Sequence, residues 1–340
     1  MDPLTIELAY FELPFKGPYK VGTESIGVRR GIMVRKTHGK RVGYGEVSPM
    51  PGIHRETLEQ ALASLQEGIR NHSSPMMPSA AFGLSCATET AAANTRFGLG
   101  ALTEPSEIGV NALFAGGTRE ARVAFAAGAF AGFKTIKLKI GRAKPVDDLR
   151  LVNAILEMVG PEVRLRLDAN RRMTLAVAER LLSRLDATRI EYVEEPLLDH
   201  EDLSELARRV NIPMAIDESL HTASALEHVL GAPQIEVQVV RPSLIGGLEE
   251  VESVITRGRI NGMDTVLSTA LESSYTIALV SRLASSMGVG DRDQGLGTAA
   301  LFARDLVAPT PIVGGRMTVR GALPVPQLDF VAASAFTLPT

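Results

Sequence analysis

One cysteine, Cys86, stands alone in 340 residues, which excludes an intramolecular disulfide framework and a cysteine-based metal site. As a small apolar residue it reads as core, with a nucleophilic thiol as the alternative. An excess of one charge is also missing. The net charge is −3 and no block of like charges occurs, so nothing argues for a nucleic-acid surface or a polyionic tail. The longest apolar run, Val123 to Phe133, has eleven residues, short of the roughly 20 that span a bilayer. The first residues, Met1-Asp2-Pro3-Leu4-Thr5-Ile6-Glu7-Leu8, have neither a basic start nor an apolar stretch, so a signal peptide is not expected. These absences point to a soluble, cytoplasmic protein without nucleic-acid or membrane partners. They leave the oligomeric state open.

What is present is ordinary globular composition, 45% hydrophobic and 22% charged, in a chain long enough for one large barrel or two domains. Residues 4–13 and 26–36 mix apolar and polar positions as strands do, His38-Gly39-Lys40 reads as a hairpin turn, and Val42 to Glu46 as the returning strand. Helical spacing follows at Thr57–Ile69 and Ala80–Phe97. From about residue 106 the rhythm becomes strand, helix, strand. Strands are expected at 108–113, 134–140, 162–168, 189–194, 213–217, 235–240 and 264–268, with a weak eighth near 293–297. Helices are expected at 118–131, 145–159, 174–185, 201–209, 221–229, 247–258 and 271–286. Seven or eight βα units argue for a TIM-type (β/α)₈ barrel. The rival, an open doubly wound sheet, is disfavoured because no Gly-rich phosphate turn follows the first strand. The expected division is an α+β capping domain over 1–105, a barrel over 106–308, and a C-terminal segment, 309–340, that packs back on the cap.

Three acidic phrases end successive strands: Arg166-Leu167-Asp168-Ala169-Asn170, Tyr192-Val193-Glu194-Glu195-Pro196 and Ala215-Ile216-Asp217-Glu218-Ser219. Neighbouring strands lie about 4.8 Å apart, so Asp168, Glu194 and Asp217 are expected to converge on one point, where only a cation keeps all three ionised. An oxygen-only set selects a hard ion, Mg²⁺ first. The alternative makes each acid an N-cap of the next helix. Alternation turns Glu195 and Glu218 away from that face. Upstream, Lys137 and Lys139 share the inward face of one strand, and their mutual repulsion lowers the pKa of one, making a base. The alternative is a pair of surface lysines. Arg241 closes strand six, opposite strand two in an eight-strand ring, and an arginine cannot take a proton. It is either the charged wall facing Lys139 or a structural ion-pair residue. Arg166 shares the Asp168 face and is either a substrate contact or a barrel-core ion pair. Ser268, Thr269 and Gly295 sit at loop ends suited to backbone contact with a carboxylate.

Together these residues resemble the enolase superfamily, within its muconate-lactonizing subgroup. Narrower resemblance is to the o-succinylbenzoate synthase family. It is carried by Gly43-Tyr44-Gly45-Glu46-Val47-Ser48-Pro49-Met50-Pro51-Gly52, Val110-Asn111-Ala112-Leu113, Arg241-Pro242-Ser243-Leu244-Ile245-Gly246-Gly247, Ser268 to Ser274, and Gly295-Leu296-Gly297-Thr298. The resemblance implies a capping domain on a modified barrel, (β/α)₇β. It implies Lys139 as general base and acid, Lys137 as the cation that tunes it, and Asp168, Glu194 and Asp217 as ligands of Mg²⁺, with Mn²⁺ as a substitute. Apart from the resemblance, Arg166, Asn170, Ser268, Thr269 and Gly295 are the candidate substrate contacts. Arg241 departs from the lysine usual at its position, and its flat charged face can replace that cation toward a ring. The implied reaction is a syn loss of water from 2-succinyl-6-hydroxy-2,4-cyclohexadiene-1-carboxylate, through an enediolate, in menaquinone synthesis. A dipeptide epimerase or N-acylamino acid racemase, a muconate-type cycloisomerase, and a non-catalytic metabolite-binding barrel are the alternatives.

Overall fold

The computed structural model describes residues 4–21, 24–72, 74–92, 94–100, 102–199, 202–221, 232 and 234–339. The chain opens with three antiparallel strands, β1 (Leu4–Val21), β2 (Glu24–His38) and β3 (Arg41–Val47), then α1 (Leu58–Arg70) and α2 (Pro78–Thr90). Thr57 and Gln60 close a reciprocal capping box that starts α1. The sheet is two-sided because side chains alternate along a strand. Ile32 and Val34 pack with Leu62 and Leu65 under the helices, whereas Met33 joins Phe11 and Leu13 in the core shared with the barrel. β3 approaches α2 so closely that a Cβ on Gly45 would collide with the Gly83 carbonyl. Glycine is required there by space.

Next come β4 (Leu102–Gly109) and seven parallel strands: β5 (Ala112–Phe114), β6 (Thr135–Lys139), β7 (Arg164–Asp168), β8 (Ile190–Glu194), β9 (Met214–Ile216), β10 (Ile235–Val240) and β11 (Asp264–Leu267). They lie side by side in chain order. Single parallel bridges from Gln294 to Val110 and from Gly295 to Ser268 close the ring between β11 and β5. Among the described residues the connecting helices are α3 (Thr118–Ala126), α4 (Pro145–Met158), α5 (Leu175–Leu182), α6 (Leu203–Arg209), α7 (Pro242–Ile245), α8 (Leu248–Ile260) and α9 (Ser274–Ser286). This is the capped, modified barrel expected from the sequence. The strands are buried on both faces, as a sheet covered by helices requires, and Lys137, Glu194 and Gln238 are among the polar side chains they bury.

Several elements differ from expectation, and helix α2 ends at Thr90 rather than Phe97. The strand expected at 108–113 is split: β4 pairs antiparallel with β13 (Arg316–Gly321), itself paired with β12 (Ile312–Val313), and only β5 enters the barrel. The break falls at Val110-Asn111, whose backbone turns to Gly315 and Gln294. Helix α3 stops at Ala126 rather than 131, because Gly128 and Gly132 take φ of 75° and 78°. Helix α9 starts at Ser274 rather than 271, since Leu271 is left-handed, φ 64°. Of the helix expected at 221–229, His221 ends a 3₁₀ turn and 222–229 lie outside the described residues. The C-terminal β14 (Val331–Ala332) pairs with β1. Among the described residues no helix is long and apolar enough to cross a membrane.

Candidate active site

Strand register builds the site. Lys139 on β6 pairs with Asp168 on β7, Asp168 with Glu194 on β8, and Glu194 with Ala215 on β9. Asp217 lies two residues beyond Ala215, hence on the same face and one pleat further out. Asp168, Glu194 and Asp217 are fully buried.

Cations separate these acids. The Lys137 ammonium donates to both Glu194 oxygens at 2.7 Å and lies 2.9 Å from Asp168 Oδ2. Lys139 donates to the same Asp168 oxygen at 2.5 Å and to Asn170 Oδ1 at 2.8 Å. Arg241 Nη2 donates to Asp217 Oδ2. Among the described residues no group of three or more His, Cys, Asp or Glu side chains closes around one point. The three carboxylates therefore share a barrel mouth rather than the single point expected. Their chemistry fits a hard divalent cation even so: every donor is a carboxylate oxygen, and Asp217 Oδ1 is buried without a hydrogen-bond partner.

Burial opposes the charge of every group here, and neighbours decide the outcome. For Lys137, Asp168 and Glu194 outweigh burial and hold the ammonium above the ordinary lysine value. For Lys139, burial together with the Lys137 charge outweighs Asp168, and the pKa falls below the ordinary value. Asp168 is buried too, but the two lysines keep its carboxyl well below the usual range. Asp217 goes the other way: burial, Glu218 and Glu194 outweigh Arg241 and raise it.

Above the mouth lies a cavity of about 320 Å³, lined by Lys137, Lys139, Asn170, Asp217 and Arg241. Ser268, Thr269 and Gly295 line it as well, but the Ser268 and Gly295 amides are already engaged. The Ser268 amide already donates to Val240 O at 2.9 Å and the Gly295 amide to Leu267 O at 2.8 Å, because both belong to the barrel ladder. What Ser268 and Thr269 offer is hydroxyls, bonded to Gly295 O at 3.2 Å and Thr298 Oγ1 at 3.1 Å.

Arg166 corrects the sequence reading more sharply. It is fully buried, forks onto Glu191 at 2.8 and 3.1 Å, and donates to Asn111 Oδ1 at 3.1 Å and Asp293 O at 2.6 Å. Two residues before Asp168, it stands one step deeper in the barrel and forms a core ion pair rather than a substrate contact.

Glu218 was set aside by strand alternation, but β9 ends at Ile216 and Glu218–His221 coil into a 3₁₀ turn. That turn carries Glu218 to the cavity, where Asn170 Nδ2 donates to it at 3.1 Å. Glu195 also leaves the strand pattern, with φ 41°, and its carboxylate accepts from the Asp217 and Ser219 amides at 2.8 and 2.7 Å. Burial and Glu218 push it up to about 7. The cap supplies Tyr19, Gly52 and Ile53 to the cavity wall, and the turn supplies His221. Only the glycine fell within a motif noticed in the sequence. Nothing local marks Tyr19 or Ile53, whose places depend on how cap and barrel dock.

Comparison with known proteins agrees in kind. Residues 119–323 match the family "Enolase C-terminal domain-like", and residues 5–91 match "MenC, N-terminal domain". The o-succinylbenzoate synthase of Klebsiella pneumoniae is 30% identical over 310 residues, 88% of this chain and 92% of that protein. That of Vibrio cholerae is 33% identical over 316 residues, 88% and 91% of the two chains. In fold, the substrate-liganded L-Ala-D/L-Glu epimerase of Bacillus subtilis superposes with a TM-score of 0.80 at 19% identity, covering 98% of this chain and 99% of its own. The magnesium-bound o-succinylbenzoate synthase of Thermosynechococcus elongatus gives 0.71 at 24% identity, covering 88% and 95%.

Proposed function

The chain belongs to the enolase superfamily, in the muconate-lactonizing subgroup and close to the o-succinylbenzoate synthases, and from that membership we propose that it is a one-base dehydratase. The substrate we assign is 2-succinyl-6-hydroxy-2,4-cyclohexadiene-1-carboxylate and the product o-succinylbenzoate, a step of menaquinone synthesis. The observation that carries this reading is an asymmetry among the cations. Lys139 has a depressed pKa at the cavity wall, while Arg241 is held above the ordinary arginine value because Asp217 and Glu218 outweigh burial. Burial and a neighbouring charge favour the free amine of Lys139, whereas the Arg241 guanidinium keeps its charge.

Lys139, as the free amine, takes the proton α to the substrate carboxylate. The resulting ammonium returns a proton to the departing β-hydroxyl on the same face, so a C–H and a C–O bond break, water leaves and the ring becomes aromatic. Asn170 Oδ1, 2.8 Å from Lys139 Nζ, orients the amine. Lys137 keeps a positive charge beside it. Asp168, Glu194 and Asp217 would hold a divalent cation, Mg²⁺ or Mn²⁺ in its place, which supplies Lewis-acid stabilisation of charge growing on the substrate carboxylate. In this reading residues 1–105, with 309–340, cap the barrel of 106–308, and the protein works in the cytoplasm.

The test is the ultraviolet absorbance change of the cyclohexadiene substrate with purified protein and Mg²⁺. Metal-dependent turnover supports the assignment, and none at any metal concentration overturns it. The shared fold with epimerases supports a second reading. Proton NMR in D₂O with an N-succinyl amino acid decides that one, since epimerisation brings deuterium to the α-carbon.

A further inference from the structure

Arg29, on β2 of the cap, is 1% exposed and does not line the cavity, yet its guanidinium joins two segments that do. Nε donates to Leu271 O at 2.9 Å, on the turn after β11. Nη1 donates to Pro49 O at 2.9 Å, and Nη2 to Ser48 O and to Ser48 Oγ, the latter at 3.2 Å. Pro49 leads directly into Gly52 and Ile53, which line the cavity from the cap side, as Ala270 and Leu271 do from the barrel side.

The turn that Arg29 grips is held in an uncommon shape. Leu271 has φ 64°, a conformation a leucine keeps only where its surroundings determine it. One buried carboxylate reinforces the same junction, and a second braces the turn from within the barrel. Glu46, from the cap, accepts from Ser273 Oγ at 2.5 Å, Thr276 Oγ1 at 2.7 Å and Ser48 Oγ at 2.6 Å. Glu272 accepts from Ser243 Oγ and from the Ala270 amide, both at 2.5 Å. The arginine thus sits between two acids, on carbonyls from parts of the chain more than 200 residues apart.

We propose that Arg29 is a positioning residue: it clamps the cap loop 48–53 to the turn 269–272 and so holds the two walls of the cavity at a set separation. The purpose of a set separation is substrate fit, and this part rests on the function proposed above. Loss of the clamp then weakens substrate binding more than the chemical step, because Lys139 and its partners stand on barrel strands that Arg29 does not touch.

The experiment uses the full chain with Arg29→Met and Arg29→Lys. Amide hydrogen exchange in 48–53 and 269–272 is expected to quicken about tenfold or more in both variants, while 164–168 stays as protected as in the parent. KM for the cyclohexadiene substrate is expected to rise about tenfold with kcat within about twofold. Lysine keeps the buried charge but cannot reach both segments with one nitrogen, so it must resemble methionine in these readings. Should Arg29→Met fail to fold, Arg29→Lys carries the test. Full recovery by lysine, uniform acceleration of exchange along the chain, or unchanged local exchange each overturns the clamp. The exchange measurement does not depend on the reaction: a parent protein without turnover, but with locally loosened variants, sinks the assigned chemistry and leaves the clamp standing.

Discussion

Lys137 and Lys139, two positions apart on β6, bear on the same oxygen of Asp168, at 2.9 and 2.5 Å, and their basicities are driven in opposite directions. Lys137 also grips both oxygens of Glu194, and two carboxylates outweigh its burial. Lys139 has one carboxylate and a neutral amide, so burial and the neighbouring ammonium prevail. The difference between the two basicities follows from the second carboxylate that Lys137 holds.

Replacing Lys139 with alanine should therefore remove turnover, lowering kcat by about 10³-fold or more. Isothermal titration with Mg²⁺ should still report binding, since the carboxylates remain. Retained turnover would show that another group takes the proton.

The pH profile follows with a definite sign. The base must be the free amine, so kcat/KM should rise with pH and level off at a pH below 10.5, the ordinary lysine value. Lys137→Met removes the repelling charge, so the same limb should move to higher pH. A limb that stays in place in that variant refutes the coupling between the two lysines.

Arg241→Lys tests the one-base asymmetry. It puts a second proton-exchanging group at the wall now occupied by a guanidinium. Deuterium uptake at the α-carbon of an N-succinyl amino acid in D₂O should be higher in the variant than in the parent. Equal uptake in the two proteins would mean that the guanidinium is not what limits the site to one face.

Acid should weaken the fold through His54. This imidazole is buried, accepts from the Met50 amide at 2.9 Å, and burial with the Arg29 and Arg241 charges lowers its pKa from 6.5 to about 3. Above pH 6.5 both folded and unfolded chains hold it neutral and it makes no difference. Below that, only the unfolded chain binds the proton, so stability falls as pH drops from about 6.5 to about 3, by on the order of 4–5 kcal/mol in total. His54→Gln should flatten the slope of denaturant stability against pH in that window, and an unchanged slope would assign the acid loss elsewhere.

Chelation should abolish turnover, and Mg²⁺ should restore it, with Mn²⁺ replacing it in part. An ion held by the folded chain alone would stabilise it, so the thermal midpoint should also rise with Mg²⁺, a stabilisation of about 2.7 kcal/mol at one hundred times Kd. Asp217→Asn should blunt that rise.

Period-two alternation and the βα rhythm were enough to place β6 through β11 and to put Lys137, Lys139, Asp168 and Glu194 on one inward face, because side-chain direction within a strand is a local property of the backbone. The same rule misjudged Glu218, since alternation lapses where β9 ends at Ile216 and a 3₁₀ turn begins. It also could not set depth: Arg166 and Asp168 share a face, but one meets Glu191 inside the barrel and the other the lysines at its mouth. Which charges pair, where Tyr19 and Ile53 come to rest, and how Arg29 reaches Leu271 were decided only by tertiary structure. Those contacts join segments far apart in the chain, and their geometry follows from the docking of cap on barrel, for which no short stretch of residues carries a signal.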